Sequence, residues 1–79
     1  MKEIKDKIEK ILLSIIPDAR LDSTSLVDGG MLGSLDIVTL ITEIDDAFGI
    51  RIPPEEINSD NFNSVKAIST LVLRLDDEQ

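Results

Sequence analysis

Ser34 follows the run Gly29-Gly30-Met31-Leu32-Gly33 and opens a stretch of helical periodicity. Glycines on its approach, Gly33 above all, leave its hydroxyl with little side-chain cover. A phosphodiester carried there would set its negative charge beside the unpaired amide hydrogens and the positive end of the helix dipole, a stabilisation of about 0.3–1 kcal/mol. The plainer reading is a serine N-cap, whose oxygen accepts an amide hydrogen from its own first turn. Nothing nearby turns the hydroxyl into a nucleophile, because the chain contains no His and no Cys. The same absence removes the usual general base at neutral pH, a thiol, a disulfide and the common structural zinc site. No catalytic residue is expected, and Ser34 is a group acted upon. No metal site is expected either. Residues 22–29 resemble an acidic calcium loop, but Leu26 stands at a ligand position, Gly29 is displaced, and Gly33 replaces the bidentate glutamate.

The elements that would hold Ser34 can be read from periodicity. Ile4, Ile8, Ile11, Leu12 and Ile15 share one face of a first helix that Pro17 stops. Residues 17–33 lose that period, yet Leu21, Leu26, Val27, Met31 and Leu32 are too apolar for a free linker and predict a long ordered loop packed on the bundle. From Ser34 to Phe48, a step of about 100° per residue gathers Ala47, Leu40, Ile44, Ile37, Phe48 and Ile41 into a core-facing arc. The opposite arc holds Thr42, Asp46, Thr39, Glu43 and Asp36, with Leu35 in its middle and Val38 on its border. Leu35 has no intramolecular reason to be apolar. Gly49 is a C-cap, and Pro54 starts a short third helix over about residues 54–58. Ser59-Asp60-Asn61 reads as a turn. Asn63 or Ser64 then caps a last helix with Val65, Ile68, Leu71, Val72 and Leu75 inward, and residues 76–79 are expected to fray. The reading is all-α: one domain over residues 1–79, a four-helix bundle with a short third helix and a long ordered loop between helices one and two.

Charge narrows the partners. Sixteen acidic against eight basic residues give a net charge of −8 over 79 residues, which repels nucleic-acid phosphates. Between Leu21 and Ile50 lie Asp22, Asp28, Asp36, Glu43, Asp45 and Asp46 and not one Lys or Arg. Such a face either serves solubility or steers partners with basic surfaces. The amino end has no apolar run long enough for a signal-peptide core or a membrane span, so a cytoplasmic chain without membrane insertion is expected; a monomer is the expected state.

The segment from Leu32 to Leu40, read Leu-Gly-Ser-Leu-Asp-Ile-Val-Thr-Leu, with Ile52-Pro53 downstream and Val65 opening the last helix, resembles an acyl carrier protein over nearly the whole chain. The resemblance implies that Ser34 receives 4′-phosphopantetheine from coenzyme A through a separate magnesium-dependent phosphopantetheinyl transferase. Cargo would be held as a thioester on that arm and delivered in fatty-acid, polyketide or related biosynthesis. Loading ligases and synthases with basic surfaces would be the partners. Leu35, Asp36, Val38, Thr42, Glu43 and Asp46 would form the recognition face. Leu40, Ile44, Ile52 and Ile57, otherwise ordinary core, would part to shelter an acyl chain. The chain departs from the family in two places: Gly33 stands where aspartate is usual, and Thr39 where carriers of fatty-acid synthesis often have glutamate. Two alternatives stay open. Asp60-Asn61-Phe62 is faintly similar to D-alanyl or other aminoacyl carriers, and Gly33 also fits a helical adaptor that has lost the arm.

Overall fold

Four α-helices and no strand form among residues 2–78, which the computed structural model describes; Gln79, the end of the stretch expected to fray, lies outside them. α1 (Lys2–Ile15) buries Ile8 and Leu12 and leaves its charged residues outward. α2 (Ser34–Phe48) buries Leu40 and Ile44 with Ile37, Ile41 and Phe48 half-buried beside them. It ends at Gly49, whose φ of 64° is left-handed and costs glycine least. α4 (Val65–Glu78) buries all five inward residues named from its periodicity and is started by Ser64, whose Oγ accepts the Ala67 amide hydrogen at 2.9 Å. It continues through Asp76 and Asp77 to Glu78. α1 packs on both α4 and α2, and Lys7 Nζ lies 5.5 Å from the centre of the Phe48 ring.

Four sequence expectations need correction. The expected third helix is only a 3-10 turn, Pro54–Glu56, and a one-turn α3 follows at Ser59–Phe62, where a turn was read. Asn58 causes this: its side chain accepts the Asn61 amide hydrogen at 2.9 Å and caps the turn that drives Phe62 fully into the core. Ile57, between the two, is 41% exposed and does not face inward. Ala47, at the edge of the apolar arc of α2, is also exposed.

The long loop is packed as expected. Leu26 and Leu32 are buried, and Leu21, Val27 and Met31 half-buried against the core. Within it the Gly29 amide donates to the Ser25 carbonyl at 2.6 Å; a Cβ on Gly29 would lie 2.7 Å from that oxygen, so only glycine permits this approach.

Arg74 on α4 clamps the 3-10 turn with two hydrogen bonds to the Glu56 carboxylate, at 2.7 and 3.0 Å. Asn61 Nδ2 adds donations to the Glu56 carbonyl at 2.7 Å and to Oε1 at 3.2 Å. The Arg74 hydrogen bond, helped by its charge and by Asn61, holds the Glu56 carboxyl below its ordinary value against the opposing pull of partial burial. A depressed carboxyl stabilises the fold fully above the ordinary glutamate range, and the contribution fades as pH falls through the lowered value. Glu56→Gln should therefore flatten the acid side of the pH–stability curve, read as urea midpoints across that interval; a curve parallel to that of the unsubstituted protein would refute the assignment.

Candidate functional site

Gly33 is extended (φ −86°, ψ 177°), and its carbonyl accepts the first intrahelical hydrogen bond, from the Ile37 amide at 3.0 Å. Gly33 is therefore the N-cap of α2 and Ser34 its first helical residue, which corrects the reading of Ser34 as a cap. With the capping role taken by its neighbour, the exposed Ser34 hydroxyl makes no hydrogen bond to any described residue. A Cβ on Gly33 would meet only Asp36 Oδ2, at an ordinary 3.7 Å, so the approach to Ser34 is open and glycine is not sterically required there.

The carboxylate of Asp36 turns back to accept the Gly33 amide hydrogen at 3.2 Å, the returning half of a capping box. Asp36 is half-buried, so its first duty is to hold the helix entry. The amides of Ser34, Leu35 and Asp36 have no intrahelical acceptor, as at any helix start, and remain available to an anion carried on Ser34.

Leu35 is 82% exposed and Val38 61%. Thr39 Oγ1 donates to the Leu35 carbonyl and Thr42 Oγ1 to the Val38 carbonyl, each at 3.0 Å. Hydroxyls tied to their own helix leave the methyl groups of the two threonines to solvent, and the outer face of α2 beside Ser34 is more apolar than its composition suggests. Glu43 and Asp46 are exposed farther along the helix. Asp45, between them in sequence, is half-buried and accepts the Ile52 amide hydrogen at 3.2 Å.

Of the four residues named for sheltering a chain, Leu40, Ile44 and Ile52 join one buried cluster and Ile57 does not. An open, polar cleft of about 460 Å³ lies elsewhere, on the long loop, lined by Arg20, Asp22, Ser23, Thr24, Ser25, Gly29 and Met31. No group of His, Cys, Asp and Glu that could hold a metal ion occurs among the described residues.

A helix that presents an unbonded serine hydroxyl at its open end offers a place where an arm could be attached covalently. Residues 2–72 match the family described as "Phosphopantetheine attachment site". The chain belongs to this family of carrier proteins. It is 32% identical over 66 residues to the D-alanyl carrier protein of Streptococcus sanguinis (strain SK36), covering 84% of this chain and 81% of that one. It is 30% identical over 67 residues to the D-alanyl carrier protein of Streptococcus uberis (strain ATCC BAA-854 / 0140J), covering 85% and 82%. No solved structure shows a significant match.

The carrier's prosthetic group is 4′-phosphopantetheine, and the residues at the head of α2 fit it: an open hydroxyl for the ester and free amides for the phosphate. When bound, the group supplies the thiol that the chain lacks. No helix of the described residues is long and apolar enough to cross a membrane. Sequence reasoning missed the hydrogen-bonded contact of Asn63 with the long loop and the Arg74–Glu56 clamp; both join segments too far apart for local patterns to show.

Proposed function

We propose that the carrier holds an aminoacyl group, of the D-alanyl type named for its relatives, as a thioester on an arm esterified to Ser34. The observation that carries the attachment point is the exposed Ser34 hydroxyl, left without a hydrogen-bond partner among the described residues because Gly33 does the capping. Ser34 has no base of its own, so the modifying transferase must remove its proton. The carrier is the substrate of that reaction, not its catalyst.

Packing supports a small cargo. Leu40 and Ile44 are 0% exposed and Ile52 5%, so a long acyl chain would have to displace a filled core. An aminoacyl group carries an ammonium, whose burial there would be costly, and it needs only solvent. A fatty-acyl or polyketide cargo is the second reading, which the same three residues would serve by moving apart. The holo carrier should accept D-alanine from an ATP-dependent ligase, seen by intact mass, with the Leu40, Ile44 and Ile52 methyl signals unmoved in NMR spectra. A carrier that refuses D-alanine yet takes a medium-chain acyl group, with those methyls shifting, would overturn the reading.

For partners, the exposed Leu35 and Val38, flanked by Thr42 and backed by Asp36, Glu43 and Asp46, form the contact face offered to transferase, ligase and acceptor enzymes with basic surfaces. The working form is a cytoplasmic monomer. Reversing Glu43 and Asp46 to Lys together should slow loading by roughly tenfold at low salt, through the encounter rate. The deficit should shrink as ionic strength rises and the screening length falls from about 10 Å at 0.1 M to about 3 Å at 1 M. A deficit that persists at high salt would show that these acids act by direct contact instead.

A further inference from the structure

Asn63 closes α3 and stands directly before Ser64, the cap of α4. Its side chain reaches across to the long loop: Oδ1 accepts the amide hydrogens of Val27 and Asp28, both at 3.0 Å, and Nδ2 donates to Asp28 Oδ2 at 3.0 Å. The two amides demand an oxygen, which fixes the orientation of the carboxamide. Its carbonyl accepts the Leu26 amide hydrogen at 2.8 Å, and the Leu26 carbonyl in turn accepts that of Leu32 at 2.9 Å. Leu26 and Leu32 are buried, and two residues after Leu32 the chain reaches Ser34. A continuous run of hydrogen bonds thus joins the α3–α4 junction to Leu32, the residue before the Gly33 cap of α2.

We propose that Asn63 is a positioning residue for Ser34: by fixing residues 26–32 it sets where the hydroxyl is presented to the modifying enzyme. The proposal rests on Ser34 being the attachment point. Nothing in it requires Asn63 to touch the arm or the transferase.

The pair allows a test by exchange of polarity. Asn63→Asp keeps an oxygen for the two amides but sets a second carboxylate against Asp28. Asn63→Asp combined with Asp28→Asn returns a donor to the contact, now on the loop side. With coenzyme A, magnesium and a phosphopantetheinyl transferase, at a temperature where urea titration shows every variant folded, Asn63→Asp should lower kcat/KM for loading by about fivefold or more. Amide hydrogen exchange at residues 26–28 and 32 should quicken in the same variant. The double variant should restore both readouts to within about twofold of the unsubstituted carrier. A folded Asn63→Asp carrier that loads at the original rate, or a double variant that recovers slow exchange without recovering loading, overturns the positioning role alone. An unsubstituted carrier that never gains the arm overturns the attachment reading, and this proposal with it.

Discussion

Ser34→Ala should gain no mass when incubated with coenzyme A, magnesium and a transferase that modifies the unsubstituted carrier, and it should lose nothing else. The chemical half follows from the proposed ester, whose bridging oxygen is that of the Ser34 hydroxyl and is lost with it. The energetic half follows from the geometry of the helix entry. A serine acting as N-cap costs about 0.5–2 kcal/mol when replaced by alanine. Here the cap is Gly33 and the Ser34 hydroxyl bonds to no described residue, so the change should stay within about 0.5 kcal/mol, as at an ordinary surface position. Alanine is moreover the best helix former for a first-turn position. Intact mass spectrometry and urea denaturation on one preparation read both halves. A Ser34→Ala protein that still gains the arm would move the attachment point elsewhere. A loss of stability near 2 kcal/mol would show that the hydroxyl does cap the helix in solution.

The largest effect on the fold is expected at Phe62. Its ring is fully buried at the end of a single helical turn, packed against α4, and little else of α3 is held so firmly. Phe→Ala in a core costs about 3–5 kcal/mol. At about 0.05–0.15 kcal/mol per residue, a chain of this length has in total only about 4–12 kcal/mol. Phe62→Ala should therefore be largely or partly unfolded at 37 °C, with α3 and the Asn63 contact the first to go, as circular dichroism and urea midpoints would show. Ile57→Ala, five residues earlier and substantially exposed, should cost well under half as much. Equal losses at the two positions would mean that the 54–62 segment packs differently from the arrangement described.

What could be read from the sequence divides along physical lines. α1, α2 and α4 repeat an apolar face over several turns, and Ile8, Leu12, Leu40, Ile44, Ile68, Leu71 and Leu75 are buried where that repeat puts them. α3 has no repeat to read. Ser59-Asp60-Asn61 has turn composition, and only the Asn58 cap and the burial of Phe62 against a distant helix make the segment helical. Ala47 and Ile57 depart from expectation for a related reason: each lies at the margin of an apolar pattern, where the neighbouring element decides exposure. At the site, the place of Ser34 and the isolation of Leu35 were legible. Which of Gly33 and Ser34 caps the helix was not, because both residue types suit that position and the answer lies in which carbonyl, that of Gly33, accepts the first intrahelical hydrogen bond. The Asn63–Asp28 contact spans 35 residues of sequence, and no local pattern announces it.

The inward-bonded hydroxyls of Thr39 and Thr42 separate two properties that an acidic face would otherwise combine. On the proposed contact face, how often an enzyme finds the carrier would be set by charge and respond to ionic strength, whereas how long it stays would be set by the exposed Leu35 and Val38 and the threonine methyls beside them, which salt hardly touches. Dwell time and arrival rate can then be tuned by different side chains, which suits a shuttle that must leave one enzyme before it can serve the next.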